Sequence, residues 1–195
     1  MNGSKRSDQK EETRKKLIKT ALGQFVKDGI LTAKTADIAA AAGVAHGTLF
    51  VHFSTRESLL TEVILEFGQK ISSRIHELEA GAATMHDILE AHINGLIEYE
   101  SFYTKLVVEG PLLPAEARHE MVMIQSAISY HLSRTAQREI EAGRIRNIPL
   151  HLLFNTWIGL IHYYLVNREL FTSGGSVLAR HKDELLEHFI NLISL

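Results

Sequence analysis

Residues 35–60 read TADIAAAAGVAHGTLFVHFSTRESLL, and this stretch decides the fold. Small residues at Ala39, Ala40 and Ala42 allow two short helices to approach closely. Gly43 relieves the turn between them, and Val44 and Leu49 plug the gap. Two short helices joined by a glycine-containing turn form a helix-turn-helix, whose second helix can place its first turn in the major groove, within reach of base edges. The pattern predicts helices over 36–42 and about 45–52, with Thr35 capping the first and Asp37 in its first turn. Ser54, with Glu57 three residues on, reads as a capping box opening a long helix toward residue 78.

The rest of the chain is also helical. Before this stretch, Leu17, Ile18, Ala21, Leu22, Phe25 and Val26 form an apolar stripe over 10–27, closed by Gly29; the polar, basic residues 1–16 read as a solvated arm and not as a secretory signal. Beyond it, Gly81 marks a break, and Thr84 and Asp87 open a helix to about residue 99. Further helices are expected over 102–109, 115–142, 149–170 and from Ser176 onward, with a loop at 110–114 and Gly143 as a stop. Alternating runs bounded by hairpin dipeptides are lacking. The fold class is therefore all-α, with about nine helices. The expected division is 1–56 as a helix-turn-helix domain and 57–195 as a second helical domain, with the seam inside the long fourth helix.

Charge is unevenly spread. Residues 1–56 hold ten Lys and Arg against five acids, whereas the remainder holds eleven against eighteen. A basic N-terminal part attached to an acidic body points to contact with a polyanion through that part alone. Lys5, Arg6 and Lys10 are candidates to follow a nucleic-acid backbone. With no cysteine, disulfides, thiolate metal sites and cysteine nucleophiles are excluded. The longest apolar run, 150–166, is interrupted by His151, Asn155 and His162, so no membrane span is expected. Eleven histidines raise the alternative of a helical metal-binding protein or enzyme using the C-terminal ones. Their separations (six between His86 and His92, eleven between His151 and His162, seven between His181 and His188) put no pair at a usual ligand spacing on one helical turn. No catalytic residue, metal or cofactor is expected. A third reading is an adaptor whose helix-turn-helix no longer binds DNA.

The chain resembles the tetracycline-repressor (TetR) family. The resemblance rests on Phe25 and Gly29, Thr35, Asp37-Ile38-Ala39, Ala42-Gly43-Val44, Gly47-Thr48-Leu49-Phe50, His52-Phe53 and Arg56-Glu57-Ser58-Leu59-Leu60, and covers about the first 60 residues. It implies a cytoplasmic, homodimeric transcription regulator, a repressor released by a small-molecule effector, bound to a near-palindromic operator in double-stranded DNA. By position it places His46, Gly47 and Thr48 at base edges, and Thr35, Phe50, His52 and Arg56 at phosphates or sugars. There are two departures: Phe50 stands where the family commonly has a phosphate-bonding tyrosine, and Ala36 where some members carry a longer reading side chain. Base readout is then expected to be sparse, leaving more to DNA shape. Arg56 opens a helix, where the macrodipole disfavours a cation, and a visiting phosphate would explain it.

For the second domain the resemblance implies a dimer and a ligand pocket. The two last helices, rich in Leu, Ile, Phe and Trp157, are expected to pair with their copies in a four-helix bundle, with Gly159 allowing close approach. The pocket is expected among the helices at 84–109, 115–142 and 150–170. Its candidate lining is His92, Tyr99, Phe102, Tyr103, Met121, Gln125, Ile128, Trp157 and Tyr163, a mixture that suits a mostly apolar ligand with a few polar atoms.

Overall fold

A computed structural model describes residues 2–80 and 83–195, with side chains described from Ser7 onward except at Glu79 and Ala80. Among the described residues there are nine α-helices and no strand: α1 (Asn2–Asp28), α2 (Thr35–Ala41), α3 (His46–His52), α4 (Arg56–Ala80), α5 (Met85–Glu98), α6 (Glu100–Glu109), α7 (Ala115–Glu141), α8 (Leu150–Val166) and α9 (Val177–Ile193). The expected break at Gly81 and the side chains of Lys5 and Arg6 lie outside the described residues.

Helix α1 begins well before residue 10, so the polar residues read as an arm continue the helix. Lys, Arg, Gln and Glu are good helix formers, and no proline or glycine interrupts residues 4–16. The expected stop at Gly29 is present, with φ +88. A Cβ there would lie 2.9 Å from the Thr32 hydroxyl, so both space and backbone favour glycine. Leu17, Ala21 and Phe25 are fully buried against α4 and the turn that follows α1.

Two N-termini differ from their sequence readings. Thr35 is the first residue inside α2, preceded by Lys34 as an N-cap without a side-chain cap bond. Helix α4 opens one residue later than expected. Its reciprocal bonds join Thr55 and Ser58: the Ser58 N–H donates to Thr55 Oγ1 (3.0 Å) and the Thr55 N–H to Ser58 Oγ (3.1 Å). The same capping logic therefore runs through the next hydroxyl pair rather than through Ser54 and Glu57. Two other caps stand where the sequence places them. Thr84 and Asp87 form a capping box on α5, and Ser176 accepts from the Ala179 N–H at the start of α9. Donation from the Thr84 hydroxyl and backbone holds the Asp87 carboxyl below its ordinary range.

The long α4 organises the body. Leu59, Leu60, Val63, Ile64, Phe67, Ile71 and Ile75 are buried along nearly its whole length, against α1 at its start and against α5 and α7 further on. At Gly68 the α7 side chain Ile124 comes so close that an added Cβ would lie 2.3 Å from it. Helices α5 and α6 meet at a bend carrying the buried Glu100. Its carboxylate accepts from the Ser176 hydroxyl and from the backbone N–H groups of Val177 (2.9 Å) and Leu178 (3.0 Å), satisfying the free donors of the α9 N-terminus. The expected loop at 110–114 contains a 3-10 turn, Gly110–Leu112.

Helices α8 and α9 bury their most apolar faces within the subunit. Leu153, Phe154, Trp157, Ile158, Ile161 and Leu165 of α8, and Leu178, Leu185, Leu186, Phe189 and Ile193 of α9, belong to the core. What α8 leaves exposed is a different stripe, Leu152, Thr156, Gly159, Tyr163 and Val166, at spacings of three and four. No heavy atom of another element lies within 4 Å of a Cβ built on Gly159.

Candidate functional site

The helix-turn-helix unit is α1–α3 with the first turns of α4. Helix α3 is anchored by one fully buried side chain, Leu49, while Ala45, His46, Gly47, Phe50 and Val51 are exposed. Gly43, with φ +66, turns the chain between α2 and α3. A seven-residue helix held on one face presents the opposite face to solvent as a short rod.

Thr35 and His46 meet across the helix pair, with Thr35 Oγ1 3.0 Å from His46 Nε2. His46 also lies edge-on to Phe50, ring centroids 5.1 Å apart. Thr35, His46 and Phe50 thus form one continuous ridge, with Gly47 leaving space beside it. Thr48 is half-buried. His52 is also half-buried, and its Nδ1 is shielded from solvent without a hydrogen-bond partner. Val51, 71% exposed, is a feature the sequence reading passed over. Its signal is an apolar residue on the polar side of a short helix.

Arg56 is placed differently from the other expected DNA contacts. Its side chain turns inward: Nε donates to the Ala33 carbonyl (3.0 Å), Nη2 donates to the Ile30 carbonyl, and the guanidinium lies over the Phe25 ring at 5.8 Å. The cation at this helix start is accounted for by backbone carbonyls of the turn 29–34, so a phosphate is not needed to explain it. The same turn is held from the opposite side. Glu109, in the last turn of α6, accepts from the Leu31 N–H at 2.8 Å. Each of these residues carries the charge that its helix end disfavours. That mismatch was the legible signal that both are recruited by something other than their own helix.

The second feature is a small cavity of about 20 Å³ between α4, α5, α6, α7 and α8. It is lined by Ile64, Phe67, Ile71, His92, Leu96, Tyr103, Leu106, Met121, Ile124, Gln125, Ile128, Phe154 and Ile158. Of the expected lining, His92, Tyr103, Met121, Gln125 and Ile128 come together here. Four do not. Tyr99 packs on Phe67 and Lys70 outside the cavity, and Phe102 packs behind Phe67. Trp157 lies one layer back. Tyr163 faces outward and meets Phe171. The expectation also left out α4, which supplies Ile64, Phe67 and Ile71. Periodicity gave α4 an apolar stripe, but a stripe does not say whether it meets a helix or a void.

The polar groups of the cavity form a connected set. The Trp157 indole N–H donates to His92 Nδ1 at 2.9 Å. Because indole can only donate, Nδ1 must accept, and the neutral ring's single proton sits on Nε2. Burial, helped by the neighbouring His162, pushes the His92 pKa down to about 3. Tyr103 Oη lies 2.7 Å from His162 Nε2, and Gln125 also reaches this hydroxyl. Burial raises the Tyr103 phenol far above its ordinary value, and burial lowers His162. All these groups are neutral at physiological pH. Among the described residues, no group of three His, Asp or Glu side chains is arranged to hold a metal ion. No helix there is long and apolar enough to cross a membrane.

Residues 17–63 match the family model for bacterial regulatory proteins of the tetR family. The probable acrEF/envCD operon repressor of Escherichia coli K12 is 25% identical over 138 residues, 69% of this chain and 54% of that protein. The HTH-type transcriptional repressor KstR2 of Rhodococcus jostii is 30% identical over 82 residues, 42% of this chain and 40% of that one. The chain thus spans about half the length, or less, of these curated relatives. In fold it is similar to a TetR-family transcriptional regulator from Agrobacterium tumefaciens, with TM-score 0.78 and 18% identity over 95% of this chain and 100% of that one. It is also similar to FadR from Bacillus subtilis, solved with stearoyl-CoA, with TM-score 0.72 and 20% identity over 90% and 96%. The matched segment spans the turn at Gly43 and the anchored α3, so residues 17–63 carry the segment that the tetR family model describes, and the chain as a whole shares its fold with these solved regulators.

Proposed function

We propose that this chain is a DNA-binding transcriptional repressor, active as a homodimer in the cytoplasm and released from its operator by a small, mostly apolar effector. The observation that carries the reading is α3: buried at Leu49, exposed along His46, Gly47, Phe50 and Val51, and continued by Thr35 of α2. Residues 1–56 form the reading head and 57–195 the effector and dimer part. His46, Gly47 and Thr48 address base edges. Thr35, Phe50 and His52 lie against the sugar-phosphate backbone, and Val51 adds an apolar contact of the kind a thymine methyl accepts. Arg56 acts by holding the turn 29–34 in place.

The second copy packs on the exposed α8 stripe, where Gly159 lets two helices come together between Leu152 and Tyr163. In that arrangement the two α3 helices occupy successive major grooves, ~34–36 Å apart, on a near-palindrome. The names of the relatives and the acyl-CoA held by a fold neighbour support repression and effector binding. Selection of bound fragments from random DNA tests the reading. The expected outcome is one inverted-repeat site, with the preferred bases changed by Thr48→Ala and Val51→Ala. Recovery of no common motif at low salt would favour an adaptor without DNA binding.

A further inference from the structure

The cavity's polar inventory narrows the chemistry of what can fill it. No Lys, Arg, Asp or Glu side chain lines it. His92 is 1% exposed and Tyr103 6% exposed, so both reach the cavity from inside the core and not from its rim. Trp157 fixes the tautomer of His92 and leaves its remaining ring nitrogen as an N–H donor. The Tyr103 hydroxyl is already engaged by His162 and Gln125. The surrounding walls, including Phe67, Leu106, Ile128 and Phe154, offer only apolar contact.

We propose that this cavity, small as it stands, widens on binding to take an uncharged, largely apolar molecule that presents a hydrogen-bond acceptor, such as a carbonyl oxygen, to the N–H of His92. An anionic or cationic headgroup would lose its hydration without meeting an opposite charge, which strongly disfavours entry. An apolar body gains from the walls, and a single acceptor pairs with the ring N–H of His92 that the Trp157 bond leaves available. This inference rests on reading the cavity as the effector site, and it goes further by assigning the ligand's charge and its hydrogen-bonding sense.

The test compares 2-decanone, decanoate and decylammonium on the full-length wild-type protein at pH 7.5, by calorimetric titration and by Trp157 emission. Trp157 is the chain's single tryptophan and is bonded to His92, so it reports on this contact. The ketone is expected to saturate at least tenfold more tightly than either ion and to shift the emission. His92→Phe, checked for retained helicity, should weaken the ketone about tenfold. Gly68→Ala keeps every polar group but drives Ile124 from its place against α4, and it too should weaken the ketone. Equal or tighter binding of either ion, no saturation by the ketone, or unchanged ketone affinity in His92→Phe would overturn the proposal. Operator release is scored separately on selected DNA. Ketone binding without release keeps this assignment and removes the effector role. Release by an ion alone keeps the effector role and removes this assignment.

Discussion

Replacing Arg56 by alanine separates a residue that builds the reading head from one that touches DNA. The guanidinium gives two hydrogen bonds to carbonyls of the turn 29–34, at Ala33 and Ile30, and covers Phe25. Bonds from a charged donor contribute about 1.5–3 kcal/mol each when protected. Arg56 is only half-buried, so about 3 kcal/mol for the pair is a reasonable magnitude. For a chain of this size that lowers Tm by about 6–12 °C. The assay pairs thermal unfolding with binding to a non-specific duplex across a salt series. Loss of a phosphate contact makes the slope of log K against log salt shallower by about 1, whereas loss of a structural clamp leaves the slope unchanged and lowers stability. Arg56→Lys adds a second discriminator, because one ammonium cannot reproduce a forked guanidinium bonded at two nitrogens. Unchanged Tm together with a shallower slope and full rescue by lysine would refute the clamp.

Other outcomes follow from the same geometry. Glu109→Gln weakens the bond to the Leu31 N–H and should reduce effector-driven DNA release several-fold and lower Tm by a few degrees, measured by anisotropy with and without effector and by thermal unfolding. Trp157→Phe leaves His92 Nδ1 without its donor and should cost about 1–3 kcal/mol in denaturant unfolding. The depressed pKa of His92 has a definite sign in stability. Between pH 6.5 and about 3 the unfolded chain binds a proton there that the folded chain refuses, so stability falls as pH falls through this window. A His92→Gln variant should show a flatter Tm profile over that range, and an identical profile would remove His92 from the account. Tyr163→Glu, on the exposed α8 stripe, should give monomers in sedimentation while leaving helicity intact.

Much of the head was legible because its determinants are local. Gly29 and Gly43 fix left-handed turns, and Ala39 and Ala42 pack where anything larger would part the helices. Thr84 and Ser176 cap the helices that follow them, as their neighbours in sequence require. Local rules failed where two hydroxyls compete: Ser54 and Thr55 are both competent caps, and only the path of the chain chose Thr55. The cavity was less legible for a different reason. Tyr99, Tyr103 and Tyr163 look alike in sequence, yet one packs on α4, one enters the cavity and one faces out. That distinction is set by how the separate helices pack on one another, which no single helix encodes. Arg56 was placed on the phosphate side by analogy with position, although its alternative partners were only 23 and 26 residues away.

Under the proposed function, the turn 29–34 has a consequence for how strongly an effector can act. Helix α6 contributes Tyr103 and Leu106 to the cavity and touches this turn through the Glu109 carboxylate. Whatever signal travels along that route is bounded by the worth of one charged hydrogen bond. At about 1.5–3 kcal/mol, it sets a ceiling of roughly 10- to 150-fold on the induction ratio carried by this contact. A measured ratio far above that ceiling would require α4 to tilt as a second, parallel lever.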